Sequence, residues 1–502
     1  MYDYLKRIAA QHSYAVLIVL ALPALYAYNP HPLYFLNDDF IHVPLSQLAT
    51  WGQRNSIRPF NDLTLYMDYL LWGNKAAGYH LTNLLLHLAD TFLVYFLAKQ
   101  IFKRLSFEGN VSFWSGCAAL FFFGYAFHSE GVFWVIGRTG PLSTLFFLIC
   151  FLIFLINLRN WYFILLSFAC YFCGLLTYES VFILPPALVL LAIAFKEFRS
   201  RVNLIFIAGH WLLLIYYLFL RIKWTGELAG NYEGENINHF HAFVLAGNYA
   251  KLIIRSFVAP ETSTQLFLIS IVAFIVLSVT LFFHQVKKVS ANKLLITLLL
   301  IFLLSFLPYI SLGIDTHGVE AERYLYLPSV FTCILVTLFF SSFRKKSVAI
   351  FSFFLYFIYN QYYLLKSSNA FAVAGDITNK TMQIVKRNKG VSNIYFKNLP
   401  GENYGVPMFR LGLEQGVNWQ TKNDSASQKI RIVSFNKNEL YYIEKKLEIQ
   451  IKDTTQFALP SVFKRSVIPG KEQEYSKMQG LVFNPETDIL IDYSDTAITI
   501  FQ

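Results

Sequence analysis

Residues 127–149, FHSEGVFWVIGRTGPLSTLFFLI, set His128, Glu130 and Arg138 in a turn that leads straight into an apolar run ending near residue 158. A hydrocarbon layer about 30 Å thick needs roughly 17 to 25 mainly apolar residues of helix. Working outward from this run, spans of that kind are expected at 13–28, 80–102, 112–127, 141–158, 161–178, 181–195, 203–221, 264–284, 294–312, 325–342 and 347–365. The 502 residues are 55% hydrophobic, 18% aromatic and 15% charged, whereas soluble domains carry about 25% charged residues. The mean hydropathy of +0.44 agrees. The expected fold is therefore an α-helical polytopic membrane protein of about eleven transmembrane helices.

Orientation follows from where the cations fall. With the N-terminus inside, the inner connections hold Lys6 and Arg7, Lys103 and Arg104, Arg159, Lys196 with Arg199 and Arg201, Lys287, Lys288 and Lys293, and residues 344–346. Each is basic, as the positive-inside rule requires. The first segment then reads as an uncleaved anchor, and the net charge of +11 reports topology and not a nucleic-acid partner. The pair 161–178 and 181–195 is the critical step, because the second run is short and contains Pro185 and Pro186. If it did not cross, everything after it would invert. The five cysteines all lie in apolar runs, where a thiol packs as a small hydrophobe, so neither a disulfide framework nor a zinc site is implied.

The same alternation collects most carboxylates of the membrane region on the outer side. Helices lying along that surface are expected near 44–72, where Leu63, Met67, Leu70 and Leu71 share a face between Trp51 and Trp72, and near 238–258, where Asn248, Lys251 and Arg255 form a polar stripe. After residue 365 the composition turns mixed, and IRIVSFNK, ELYYIEKKLEIQIKD and DILIDYSDTAITIF read as strands. Residues 1–365 are thus assigned to the membrane domain, and 366–502 to a small α/β or mainly β domain on the outer face.

Ionisable groups gathered at one membrane edge line a water-accessible site more readily than they sit in lipid. The set here is Asp38, Asp39, His128, Glu130, Arg138, Glu179, Asp315, His317, Glu320, Glu322 and Arg323. Adjacent acids such as Asp38 and Asp39 in FLNDDFIHVP point apart, so only one can aim at a reacting atom. Solvation, or capping of the following helix, explains the same pair. His80 and His87 share a helix face; inter-helix hydrogen bonding accounts for them better than a relay.

Four blocks in order carry a family likeness: NDDF; IRPFNDLTLYMDYLLWGNKAAGYHLTNLLLHLADTFLVYFLAK; FHSEGVFWVIGRTGPLSTLFFLI; and AERYLYLPSVF. Together they resemble the membrane portion of the GT-C glycosyltransferases, most closely the transmembrane and TPR-containing O-mannosyltransferases and their bacterial relatives, over about residues 30–340. That resemblance implies transfer of a sugar, mannose or similar, from a polyprenyl-phosphate carrier to an acceptor hydroxyl of a protein, lipid or glycan. It also implies a multi-pass protein, in a bacterial inner membrane, with its catalytic face periplasmic. Asp38 or Asp39 becomes the general base, with Asp38 the better match. Arg138 and Arg323, then Arg58, become ligands of the leaving phosphate, since a guanidinium fork meets two phosphate oxygens at once. Glu130, Glu179, Glu322 and Tyr324 hold those arginines or the sugar. Asp39, His128 and His317 are the residues that would hold a divalent metal, and direct attack implies inversion without a covalent intermediate.

Two departures count against a full transfer of family properties. Thr177-Tyr178-Glu179 stands where the family has Ser-Lys-Glu, so another cation must replace the lysine, and no TPR array follows the membrane region. A lipid or polysaccharide transporter and a decayed assembly protein are the alternatives. Charges at span ends and the lack of an internal repeat disfavour the first; the retained Asp-Asp, His-x-Glu and Glu-Arg-Tyr disfavour the second.

Overall fold

A computed structural model describes residues 21–47, 58–105, 109–158, 160–226, 242–260, 264–265, 268–272, 293–343, 345–388, 391, 393–421, 429–432, 488–493 and 498–501. The described residues open with helix at 21–27 and continue through α1 (Asp39–Gln47), α2 (Pro59–Trp72), α3 (Ala76–Arg104), α4 (Val111–Phe123), α5 (Ser129–Phe133), α6 (Thr139–Ile156), α7 (Trp161–Leu175), α8 (Leu184–Ala194) and α9 (Arg201–Thr225). Further along come α10 (Ala242–Arg255), α11 (Lys293–Leu304), α12 (Tyr326–Ser341) and α13 (Lys346–Arg387).

Five described helices are long and apolar enough to cross a membrane: Ala76–Arg104, Ile136–Ile156, Arg201–Trp224, Glu322–Ser341 and Lys346–Arg387. Val111–Phe123 with Ala126–Phe133, bent by 51° at the break, makes a sixth if counted as one span. Trp161–Leu175, Glu179–Ala194 and Lys293–Tyr309 are apolar but shorter. The chain is thus a multi-pass membrane protein, but eleven full-length spans are not seen among the described residues. Several expected runs are shortened because polar or proline-bearing turns end their helices early. The first half of the expected span 13–28 and most of 264–284 lie outside the described residues, as does Trp51. Leu212, Phe219 and Phe351, each more than half exposed, face outward where lipid chains would cover them.

The bundle has two recognisable ends. Arg104 pairs with Glu197 and donates to Leu155 O at 2.8 Å, and Asn203 donates to Asn157 at 3.1 Å, so the connections around 104, 157 and 197 share one end. At the other, Phe60 N–H donates to Leu176 O at 3.3 Å and Arg58 meets Glu179 at 3.2 Å. The short segment from Glu179 to Ala194 therefore does pass from one end to the other. Its prolines sit in the first turn of α8, where the missing N–H costs no helical bond.

The break between α4 and α5 is held from α13. Gln361 Nε2 donates to Gly124 O at 2.8 Å and Asn360 Oδ1 accepts from Ala126 N–H at 3.4 Å. Broken helix is tolerated at membrane depth only when protein groups satisfy the freed backbone. A β-carbon on Gly124 would lie 2.0 Å from that same Gln361 nitrogen.

Helix α13 runs on past residue 365 to Arg387, 42 residues in all, or roughly 63 Å at 1.5 Å per residue, about twice a bilayer core. Phe371, Ala374, Thr378, Met382 and Val385 continue its buried stripe beyond the apolar run. Thr381 Oγ1 there meets the Tyr493 hydroxyl at 2.9 Å. Tyr493 lies in a sheet of β1 (Asn393–Lys397), β4 (Lys429–Ile432), β5 (Asp488–Tyr493) and β6 (Ile498–Phe501), ordered β4-β1-β5-β6. β1 is parallel to β4 and β5, and β6 antiparallel to β5. Three of these strands fall in segments read as strands; the one expected at 439–453 lies outside the described residues. Between β1 and β4 the chain forms a small hairpin, β2 (Glu402–Asn403) with β3 (Val406–Pro407), then α14 (Leu413–Thr421), and this excursion lies back on the bundle.

Candidate functional site

The acid pair begins the site. Asn37 adopts a positive φ of 45°, turning the chain so that the two following carboxylates diverge. Asp39 is fully buried: Oδ2 accepts from Leu36 N–H at 2.9 Å and Oδ1 from Ile136 N–H at 3.0 Å. Burial pushes its carboxyl up to about 8, against the lowering pull of both N–H donors and of Arg138. Asp38 is partly exposed, and its Oδ1 accepts from Asn37 Nδ2 at 2.9 Å. One acid is built into the wall and the other stands at its edge.

Glu130 and Arg323 form the second part. Glu130 is almost fully buried; its Oε2 accepts from the Arg323 backbone N–H at 3.0 Å and its Oε1 pairs with the Arg323 guanidinium. That guanidinium retains 15% exposure and lies over the Trp134 ring at 5.4 Å and the Tyr324 ring at 4.9 Å. Trp134 Nε1 in turn donates to Leu36 O at 3.3 Å. A single indole therefore links the arginine to the turn bearing Asp38. Glu322 points away, taking Arg255 at 2.7 Å and Ser129 at 2.5 Å.

An aromatic path leads to the third part. Tyr324 stacks on Tyr309 with centroids 4.7 Å apart and planes at 16°, and Tyr309 lies 5.9 Å from Tyr178. Arg58 covers Tyr178 at 4.7 Å and pairs with Glu179 at 3.2 Å, while Arg221 pairs with the other Glu179 oxygen at 2.9 Å. Two guanidiniums thus flank one carboxylate at the place where the family likeness lacks its lysine. Tyr178 occupies that lysine position and supplies a ring face to Arg58.

Arg138 is placed differently. It is wholly buried, with Asp68 at 2.6 Å, Tyr79 O at 3.2 Å and Val135 O at 3.2 Å, so it ties α2, α3 and the 135–138 turn together. The expected metal ligands are not gathered. Asp39 faces two backbone N–H groups; His128 meets Ser329 at 2.6 Å and the ring of Tyr326 at 4.4 Å; His317 is half exposed beside Thr264 and Asp315. Among the described residues no three such side chains come together. His87 is hydrogen-bonded between helices, to the Tyr326 hydroxyl at 2.7 Å and Phe123 O at 3.1 Å.

Arg221, Arg255, Trp134 and Tyr309 were absent from the candidate residues read from sequence. Arg221 had a signal, being a cation inside an apolar run, where such groups face protein or water. Arg255 lay in a stripe that reads equally well as a solvated face, and the aromatics are lost among 50 Phe and 31 Tyr.

No family model matches the chain. It is similar to protein O-mannosyl-transferase F38B6.6 of Caenorhabditis elegans, 25% identical over 341 residues, covering 61% of this chain and 46% of that protein. It is also similar to protein O-mannosyl-transferase tmtc2 of Xenopus laevis, 28% identical over 210 residues, 37% of this chain and 24% of that one. For Drosophila melanogaster Tmtc3 the figures are 34% over 131 residues, 24% and 14%. The match thus spans less than half the length of these curated relatives. Among solved structures, ArnT from Cupriavidus metallidurans bound to undecaprenyl phosphate aligns at a TM-score of 0.45 and 8% identity, over 90% of this chain and 99% of that one. The likeness read from the four blocks is therefore a likeness to the TMTC protein O-mannosyl-transferases.

Proposed function

We propose that the protein is a membrane glycosyltransferase of GT-C type that moves a sugar from a polyprenyl-phosphate carrier to an acceptor hydroxyl. The observation that carries this reading is a partly exposed guanidinium, Arg323, linked through the Trp134 indole to the Leu36 carbonyl in the turn that bears the partly exposed carboxylate Asp38. The sequence similarity to protein O-mannosyl-transferases supports it, and favours mannose as the sugar and a protein as the acceptor.

In this reading Asp38 removes the acceptor's proton as its oxygen attacks the anomeric carbon. The bond from that carbon to the phosphate oxygen breaks, its electrons stay on the phosphate, and the sugar inverts in one displacement. Asp39, neutral near pH 7 and holding two backbone N–H groups, shapes the wall and takes no proton. The departing lipid phosphate needs cationic stabilisation and no general acid. Arg323 supplies it, with Arg58 and Arg221 receiving the carrier further along the tyrosine path. Glu130 and Glu179 hold these guanidiniums, Tyr324 offers a face to the sugar, and Arg138 and Glu322 are scaffold. Asp39, His128 and His317 face different partners and do not fit a shared metal. Residues 1–365 are the membrane domain, and the sheet after α13 is a soluble region on the site's side, which we assign to the extracytoplasmic face.

The test is transfer of labelled mannose from a polyprenyl phosphate in lipid nanodiscs. Asp38→Asn is expected to lower the rate by about 10²- to 10⁴-fold with little change in melting temperature. A wild-type rate in that variant removes Asp38 as base, and a wild-type protein that transfers nothing from any polyprenyl-phosphate sugar removes the whole reading.

A further inference from the structure

One short excursion of the C-terminal region, residues 402–412, grips both loops on which the proposed chemistry depends. At one end it holds Asn37. The Asn37 backbone N–H donates to Met408 O at 2.8 Å, and its Oδ1 accepts from Leu411 N–H at 2.6 Å. With its oxygen aimed at Leu411 N–H, the amide turns its nitrogen toward its other neighbour, and Nδ2 donates to Asp38 Oδ1 at 2.9 Å. Gly412, at a φ of 76°, lets the backbones come this close; a β-carbon there would stand 2.5 Å from Asn37 O.

The other end holds the loop before Arg323. Arg410 bonds Glu320 Oε2 at 2.9 Å and also pairs with Glu402, and Tyr404 O accepts from Val319 N–H at 3.3 Å. A β-carbon on Gly405 would lie 2.8 Å from Val319 N. Val319 O in turn accepts from Glu322 N–H at 3.3 Å, one residue before Arg323. The excursion is itself tied down: Met408 N–H donates to Gly401 O at 2.8 Å, and Asn403 Nδ2 to Ala370 O on α13 at 2.9 Å.

We infer that residues 402–412 set the distance and orientation between Asp38 and Arg323, with Asn37 and Arg410 as positioning residues at the two ends. The inference rests on the roles proposed above for Asp38 and Arg323. It makes the C-terminal region a working part of the site: the base and the phosphate-binding cation sit on loops far apart in sequence, and a misplacement of about 1 Å between reacting groups costs up to 10²-fold in rate.

The experiment uses the full chain in nanodiscs with a mannosyl polyprenyl phosphate as donor, and three variants: Asn37→Gly, which keeps the positive φ and removes only the amide, Arg410→Ala, and Arg410→Lys. Asn37→Gly is expected to lower kcat about 10- to 100-fold with KM for the lipid donor within about twofold. Arg410→Ala is expected to lower kcat and raise that KM, and Arg410→Lys to recover part of both. Hydrogen exchange gives a second readout independent of activity: Arg410→Ala is expected to speed exchange at residues 37–42, although Arg410 binds a different loop. Wild-type kcat in Asn37→Gly, or unaltered exchange at 37–42 in Arg410→Ala, overturns the inference. A wild-type protein without transferase activity overturns the proposed function instead, and the exchange result then decides the positioning claim alone.

Discussion

Replacing Asp39 by Asn should make the protein less stable in acid and more stable in base than the wild type. Its carboxyl sits at about 8 because burial penalises the charge, while an unfolded Asp titrates near 3.9. Between those values the folded state binds the extra proton, so stability is greatest below about pH 4, falls as pH rises, and levels off above about 8. The slope is about 1.4 kcal/mol per pH unit, a total of roughly 6 kcal/mol across the window. Asn removes this dependence at a fixed cost. Leu36 N–H at 2.9 Å and Ile136 N–H at 3.0 Å both need acceptors, and an amide has only one oxygen. The donor left facing NH₂ costs about 1–3 kcal/mol. The two stability curves should therefore cross near pH 5 to 6. Apparent melting temperatures in detergent, read by intrinsic fluorescence from pH 4.5 to 9, would show it. Parallel curves would refute the reasoning, because Asp39 would then be ionised at neutral pH and as eligible a base as Asp38.

Three other perturbations follow from the same geometry. Gly137→Ala should abolish most transfer and lower the melting temperature, since its β-carbon would stand 1.9 Å from Glu130 O, a backbone atom that cannot swing aside; expression and size-exclusion profiles check this beside activity. Arg138→Met should destabilise by about 3–5 kcal/mol by stranding buried Asp68, and adding Asp68→Leu should restore more than half, as denaturant melts of single and double variants would reveal. Arg221→Ala should raise KM for the lipid donor about tenfold with a smaller effect on kcat, since it removes one of two cations at Glu179 and leaves Asp38 untouched; steady-state kinetics in nanodiscs would separate the two parameters.

Some of this protein is legible one segment at a time. A membrane-spanning backbone must satisfy its own hydrogen bonds, so an apolar run of sufficient length becomes helix wherever it occurs, and the runs at 80–102, 141–158, 203–221 and 325–342 did so. The basic connections at one end and acidic turns at the other followed from charge placement along the chain. Strands at 429–432, 488–493 and 498–501 are visible in their β-branched and aromatic content. The four family blocks contain the turns bearing Asp38, Arg58, Glu130 and Arg323.

What needed the tertiary structure is whatever depends on a distant neighbour. Asp38 and Asp39 are identical residues side by side, and only the arrival of Ile136 and Trp134 buries one of them and leaves the other at the edge. Arg138, one of the phosphate ligands the family resemblance implies, is locked to Asp68, whereas Arg221 inside an apolar run reaches Glu179. Helix α13 outran its apolar stretch because a buried stripe, fixed by what packs on it, outlasted the hydropathy. Residues 402–412 hold no motif, yet they touch both site loops. Hydropathy and charge act locally along a chain, so sequence shows them; desolvation and ion pairing are set by which remote atoms arrive, and that the fold alone decides.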